Sequence, residues 1–198
     1  EIAAPGLDPE QYICYEGGLR TQWENAGAEV SYFYYDIDDM IVRAPTGNVD
    51  GDGNLEVTKL NSGAGYVHGV ELGGSWEFWK PFTFFGNFTW LDGEVDTYPV
   101  AGSAEKESEP ISRLMPAISN LGVRWDHESR KWWVETLLTI AGEANELSTR
   151  DAGDTQRIPP GGTPRYTVLT IRSGWQITGR VRLSAAIENL TDEDYRIH

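Results

Sequence analysis

Residues 65–91 read GYVHGVELGGSWEFWKPFTFFGNFTWL, and this stretch decides the fold. From residue 70 to 78 the even-numbered positions are apolar or small, while the odd-numbered positions include Glu71 and Glu77. After Lys80-Pro81 the alternation resumes, with aromatic residues set against polar ones. This period of two is typical of β-strands, because successive side chains point to opposite faces. The stretch therefore predicts a hairpin with one apolar and one polar face.

Alternation of the same kind runs through most of the remaining chain, with tight-turn residues between the alternating segments. The second of these strands is expected to bend at the acidic cluster Asp36, Asp38 and Asp39. Strands are predicted, in addition to the two of the central hairpin, at 12–23, 28–42, 55–60, 117–127, 131–141, 166–177 and 181–189.

The lengths of the connections between these strands follow a pattern. Short connections near 25–27, 80–81, 129–130 and 178–180 alternate with long ones near 44–54, 94–116 and 144–165. Long and short connections are therefore expected at opposite ends of the strands. Transmembrane β-barrels of outer membranes have this asymmetry, and their strands need about 9–11 residues to cross the bilayer. Tryptophans near several strand ends fit the aromatic girdle of such a wall.

Composition excludes several classes of protein. The 31 acidic residues against 16 basic ones, a net charge of -15, argue against a nucleic-acid partner. No uncharged apolar run approaches the length of a transmembrane helix, and the first residues carry no signal-peptide pattern. Cys14 is the only cysteine, so we expect no disulfide framework. No nucleophile elbow, phosphate-binding loop or dinucleotide fingerprint is present, and we expect no catalytic residues.

The segment Asn48–Glu56 places oxygen-bearing side chains at alternate positions, as a calcium loop does. The position that would supply the bidentate carboxylate is Lys59, so a solvated Asp-Gly turn is favoured and calcium is left open. The three histidines share no spacing typical of zinc ligands. The favoured interpretation is therefore that the chain has no metal site, with calcium at Asn48–Glu56 left open, and we expect no cofactor.

Three other interpretations of the pattern stay open. A soluble, tryptophan-rich β-sandwich that binds carbohydrate would pack the apolar faces against each other. A jelly-roll glycoside hydrolase would use a pair of glutamates such as Glu71 and Glu77. A small eight-stranded barrel would close on itself by pairing its first and last strands.

Five segments, taken in order along the chain, resemble the C-terminal part of the TonB-dependent outer-membrane receptors. They are Tyr15–Leu19, Tyr32–Ile41, Asn61–Leu72, the Arg113–Pro116 segment with Asn120–Gly122, and Glu188–Arg196. The resemblance implies an all-β fold, an antiparallel meander of eight or nine long strands that forms part of a transmembrane β-barrel of about 22 strands. Residues 1–198 are expected to be a partial barrel, without the plug domain, the energy-coupling box or the final strand of the family.

The function implied by the resemblance is TonB-dependent uptake of a scarce nutrient, such as a siderophore complex, cobalamin or a saccharide. The implied location is the outer membrane, and the implied partners are its lipid, the small nutrient, and the TonB complex, which acts through the plug. This part of the barrel alone is not expected to transport.

Three groups of residues follow from the barrel interpretation. Charged residues of the polar strand faces are expected to line the lumen: Glu71, Glu77, Arg124, Glu135, Arg172 and Glu188. Apolar residues of the opposite faces are expected to contact lipid: Val70, Leu72, Phe84, Phe88, Leu138, Ile140, Leu169 and Ile171. Charged residues of the long loops and adjoining strand ends are candidates for ligand binding: Asp92, Glu94, Arg113, Arg150 and Arg157.

Overall fold

The computed structural model of the chain describes residues 1–4 and 6–197, and its regular secondary structure is almost entirely β-strand. One five-residue helix, α1 (Thr149–Gly153), lies in the connection before the eighth strand. The strands are β1 (Gln11–Gln22), β2 (Ala26–Val49), β3 (Leu55–Trp79), β4 (Phe82–Thr97), β5 (Glu107–Pro110), β6 (Ile118–Asp126), β7 (Trp132–Ala141), β8 (Tyr166–Gln176) and β9 (Arg182–Ile187). Among the described residues, no helix is long and apolar enough to cross a membrane.

The strands form one antiparallel sheet in the order β1-β2-β3-β4-β6-β7-β8-β9, with β5 added to the outer part of β4. This meander confirms the predicted fold class. In the described part of the chain β1 pairs only with β2 and β9 only with β8, so these two strands do not close a small barrel. A single sheet is also not a sandwich, because no second sheet formed by residues 1–4 and 6–197 covers either face.

The register assigns every strand residue to one of two faces, because directly paired residues lie on the same side of a sheet. The apolar face includes the pairs Leu72–Phe88, Leu121–Leu138 and Leu138–Leu169. The polar face includes Arg124 opposite Glu135 and Glu135 opposite Arg172. All eight residues expected to contact lipid fall on the apolar face, and all six expected to line the lumen have the parity of the polar face.

The apolar face is exposed. Leu72 is 43% exposed, Phe84 40% and Leu121 40%. In a sandwich these side chains would be sealed in the core, because burial of apolar area is the main force that holds two sheets together. The buried strand residues lie instead on the polar face, where Val168 and Thr170 of β8 are less than 8% exposed.

Several strands are longer than the sequence pattern predicts. β2 continues through Pro45 to Val49, and β3 is continuous from Leu55, where a Gly- and Asp-rich loop and a separate short strand were expected. Residues 42–45 and 57–60 satisfy each other's backbone groups by pairing. Gly and Pro disfavour strands locally, and Pro is tolerated mainly in edge strands. Here the backbone groups of the outer parts of β2 and β3 are satisfied by hydrogen bonds between the two strands. β4 likewise runs to Thr97, beyond its predicted end at Leu91, and part of the expected loop forms β5.

The acidic cluster of β2 contains the irregularity that its sequence predicts. The register of β2 against β3 shifts between Ile37 and Ile41, and Asp39 has a φ of 56°. A shift of this kind is a β-bulge, which leaves one residue unpaired and bends the strand.

Candidate functional site: the polar face and the long loops

Charged residues of the polar face pair across β6, β7 and β8. The Arg124 guanidinium donates to both carboxylate oxygens of Asp126, at 2.9 and 2.8 Å, and lies 4.3 Å above the centre of the Trp133 ring. Glu135 lies between Arg124 and Arg172, and its carboxylate is 3.8 Å from the Arg172 guanidinium. Three of the predicted lumen residues, Arg124, Glu135 and Arg172, thus form one ladder across the strands. Opposite charges on paired strands stabilise a sheet modestly.

Amide and hydroxyl side chains extend this ladder towards β4. Asn120 donates to the amide oxygen of Asn87 at 3.0 Å, and the Thr139 hydroxyl donates to the amide oxygen of Asn120 at 2.7 Å. These contacts cross three neighbouring strands on one face. Hydrogen bonds therefore join polar side chains of β4, β6 and β7 on the polar face, next to the charged residues of β6 to β8.

A shallow groove of about 510 Å³ lies on the polar face of β1 to β4. Gly18 and Gly73 lower its floor, and Glu71 is among the residues that line it. At its edge the Arg20 guanidinium donates to the Glu29 carboxylate at 2.9 Å. Glu77 lies beyond the groove at the end of β3, where its backbone amide donates to the carbonyl of Asn25. Glu188 follows the last residue of β9.

Aromatic rings cover three glycines of the polar face. Phe33 faces Gly69, Phe85 faces Gly122 and Trp133 faces Gly174 across paired strands. A methyl group added at each of these glycines would lie 2.3 to 2.7 Å from a ring atom. The rings therefore occupy space that only glycine leaves free.

A buried carboxylate joins two of the long loops. Asp151 of α1, 2% exposed, accepts from the Ser112 hydroxyl at 2.7 Å and from the backbone amide of Arg113 at 2.9 Å. Ser148 caps α1 by accepting from the Asp151 amide at 3.2 Å. Arg113 has a φ of 62°, a conformation that few side chains favour. The loop before β6 is thus tied to the loop before β8.

Two more contacts strengthen this junction. The Asp154 carboxylate accepts from Arg113 at 2.7 Å and from Arg157 at 3.1 Å. Glu109 of β5 accepts from the amide and hydroxyl of Thr149 and from the hydroxyl of Thr97. Burial acts to raise the pKa of Glu109, but these hydrogen bonds outweigh it and hold the pKa below its usual value.

The five candidate ligand residues do not form one cluster. Arg113 and Arg157 converge on Asp154, while Arg150 lies exposed on α1. Asp92 and Glu94 lie inside β4 rather than in a loop, and their register places them on the apolar face. Asp92 there contacts His68, with Nε2 and Oδ2 3.1 Å apart.

Sequence reasoning missed the residues that organise the loops, namely Asp151, Asp154 and Glu109. Their contacts join segments about forty residues apart along the chain, for example Ser112 with Asp151. The one local signal was the Ser148-x-x-Asp151 sequence, which is typical of a capped helix start.

The predicted Asp-Gly turn is present at residues 50–54. One oxygen of the Asp50 carboxylate accepts from the backbone amides of Asp52 and Asn54, at 2.9 and 2.8 Å. Its other oxygen accepts from the Asn54 side-chain amide. Hydrogen bonds from Asn54 and Asp52 hold the pKa of Asp50 below its usual value. Donors of the turn itself thus bind both oxygens of this carboxylate.

Comparison with known proteins supplies the family context. A family model described as "TonB dependent receptor-like, beta-barrel" matches residues 1–190. The fold is similar to the copper transporter OprC, with 17% identity and a TM-score of 0.73, over 98% of this chain and 27% of that one. It is also similar to the FrpB iron transporter from Neisseria meningitidis, with 17% identity and a TM-score of 0.69, over 98% of this chain and 29% of that one.

A third solved structure, the ferric yersiniabactin uptake receptor FyuA from Yersinia pestis, is 21% identical with a TM-score of 0.63. The match covers 94% of this chain and 26% of that chain. The chain thus spans between a quarter and a third of the length of these solved proteins. No protein of curated function matches it.

Proposed function

The chain belongs to the TonB-dependent receptor β-barrel family, and we propose that it forms part of the wall of an outer-membrane receptor barrel of about 22 strands. In this proposal the apolar face contacts lipid and the polar face lines the lumen. The short turns lie on the periplasmic side and the long loops outside. The residues expected to contact lipid and to line the lumen keep those roles.

One observation carries this orientation: a continuous sheet leaves its apolar face exposed and places its charge ladder on the opposite face. An exposed apolar surface of this extent is unfavourable in water. It is the surface expected of a barrel wall that faces the hydrocarbon of a bilayer. Lumen charges such as Glu135 and Arg172 can remain hydrated and paired.

The proposed activity is TonB-dependent uptake of a small nutrient that binds at the lumen and the outer loops. Its support is family membership together with the joined loops, which hold Arg113 and Arg157 at the long-loop end of the sheet. A metal complex is the substrate class that we propose, because the similar solved proteins include a copper transporter, an iron transporter and a ferric yersiniabactin uptake receptor. Interaction with TonB would take place through the plug domain of the complete receptor.

The orientation is tested by labelling neighbouring residues of β4 in the intact receptor. Asn87→Cys and Phe88→Cys are compared in a Cys14→Ser background, since these two positions lie on opposite faces. A membrane-impermeant maleimide added to outer-membrane fragments is expected to label the cysteine at 87 and to spare the one at 88. Labelling of position 88 alone would refute the orientation.

The transport activity is tested with the complete receptor in a strain that lacks it. Uptake of radioactive iron supplied as a ferric catecholate, and of radioactive copper, is measured with and without a functional TonB gene. TonB-dependent accumulation of one of the two metals is expected. If neither metal accumulates, or if both accumulate without TonB, the proposed substrate class is contradicted.

A further inference from the structure

A second surface of the molecule lies at the short-turn end of β7, β8 and β9. A notch of about 550 Å³ opens there on the apolar face. Ser173, Ala185 and Val134 form its floor, while Trp132, Trp175 and Leu183 form its walls. We propose that this notch binds one acyl chain of an anionic phospholipid whose phosphate contacts the cations of the adjoining turns. The inference rests on the proposed orientation, which assigns this face to lipid.

The shape of the notch follows from the sizes of the paired side chains. Ser173 pairs with Val134 on one side and with Ala185 on the other, so small groups lie side by side across three strands. Trp132 pairs with Trp175, and Trp175 pairs with Leu183, which raises a wall beside them. The three wall residues are 39 to 57% exposed, so the notch is open towards the bilayer. An extended hydrocarbon chain fits a depression of this kind, since its burial there removes apolar area from polar surroundings.

Charge identifies the kind of lipid. Lys131 directly precedes Trp132, Arg130 lies in the same turn, and Arg180 lies in the turn before β9. In the described part of the chain the side chains of Lys131 and Arg180 form no salt bridge or hydrogen bond. Arg130 instead lines a hollow of the polar face with Glu77, Asp126 and Glu128, so the phosphate site consists of Lys131 and Arg180. Unpaired cations beside a membrane each strengthen binding of anionic headgroups about fivefold.

These cations stand out because the chain as a whole is acidic, with a net charge of -15. Tryptophan rings next to them lie where a lipid headgroup meets its acyl chains. The occupant is therefore a phospholipid of the leaflet beside the short turns, held by its chain in the notch and by its phosphate at the turns.

The test uses the intact receptor in vesicles of equal parts phosphatidylcholine and phosphatidylglycerol. A trace of either lipid carries a photoreactive diazirine on one acyl chain, and crosslinked peptides are mapped by mass spectrometry. Crosslinks from phosphatidylglycerol are expected to concentrate in residues 132–134, 173–175 and 183–185, and to exceed those from phosphatidylcholine. The preference between the two lipids is expected to fall about fivefold for each cation removed, as in K131Q and K131Q/R180Q.

Two pairs of variants separate charge from shape. Ala185→Phe fills the notch and should abolish the concentrated crosslinks from both lipids, whereas Thr136→Phe adds the same bulk elsewhere on the apolar face and should not. Lys80→Gln removes a cation from a different turn and should leave the preference unchanged. All variants are compared at equal strand content by circular dichroism.

The outcomes distinguish this inference from the proposed function. Crosslinks spread evenly over the apolar face, Leu138 included, would overturn the notch and leave the orientation intact. A concentrated signal without preference for phosphatidylglycerol would overturn the role of the cations. Crosslinks confined to residues of the polar face would overturn both.

Discussion

The covering of Gly122 by Phe85 leads to a quantitative prediction about the stability of the wall. Gly122→Ala would place a methyl carbon 2.3 Å from Cζ of Phe85 and 2.7 Å from two further ring atoms. Carbon atoms in favourable contact lie about 3.5–4.0 Å apart, so the ring must move by more than about 1 Å. Gly17→Ala, at a position with no atom within 4 Å, is the matched control.

The magnitude follows from two opposed terms. Overpacking of this kind costs about 1–3 kcal/mol, while replacing a strand glycine by alanine recovers about 0.5–1 kcal/mol of backbone entropy. We expect Gly122→Ala to lower the free energy of unfolding by about 1 kcal/mol net. Gly17→Ala, which gains the entropy without the clash, is expected to raise it slightly.

The assay is guanidinium unfolding of the intact receptor in lipid vesicles, followed by circular dichroism. A double-mutant cycle with Phe85→Ala isolates the contact, because without the ring Gly122→Ala should no longer destabilise. The expected interaction energy between the two sites is about 1–3 kcal/mol. If Gly122→Ala destabilises equally with and without the Phe85 ring, or if it behaves as Gly17→Ala does, the ring does not depend on the glycine and the reasoning is refuted.

Three further predictions concern the loops and the apolar face. Asp151→Asn replaces one acceptor oxygen for Ser112 and Arg113 by a donor and should lower the stability of the joined loops by about 1–3 kcal/mol. Trypsin is expected to cleave this variant faster after Arg150 or Arg157, whereas the control Glu146→Gln, changed at an exposed site, should be cleaved at the wild-type rate. Because the folded pKa of Glu109 is depressed, its contribution to stability is present above its usual value of 4.5 and is lost as the pH falls below that value. Hydrogen exchange of residues 149–153 should therefore quicken on acidification in the wild type but not in Glu109→Gln, and an equal acid response in the two proteins would argue against this origin. Leu138→Arg should make the free energy of membrane insertion of the receptor less favourable by about 2–4 kcal/mol, which lowers the folded fraction in the outer membrane. Asn87→Arg, on the polar face, should insert normally, and equal insertion of the two variants would contradict the assignment of the faces.

The central hairpin shows how much of the fold is encoded locally. Alternation between Val70 and Trp90 determines both strands and their faces, because side-chain direction in a strand depends only on position parity. Five short motifs predicted the family, which the match over residues 1–190 confirms, and the resemblance that they carry implied the meander that the sheet shows.

Other features depend on partners that lie far away along the chain. The outer parts of β2, β3 and β4 look like loops by composition, and only their mutual pairing makes them strands. Asp92 and Glu94 read as loop charges, but the extension of β4 places them on the apolar face.

The sequence by itself determined the inner parts of the strands, their two faces and the ends at which the loops lie, because each of these depends on residues within a few positions of one another. Only the tertiary structure decided which glycine an aromatic ring covers, which loop Asp151 joins, and where small side chains on three strands leave a notch. These features are set by the register between strands and by contacts across some forty residues, and no local pattern of side chains encodes them.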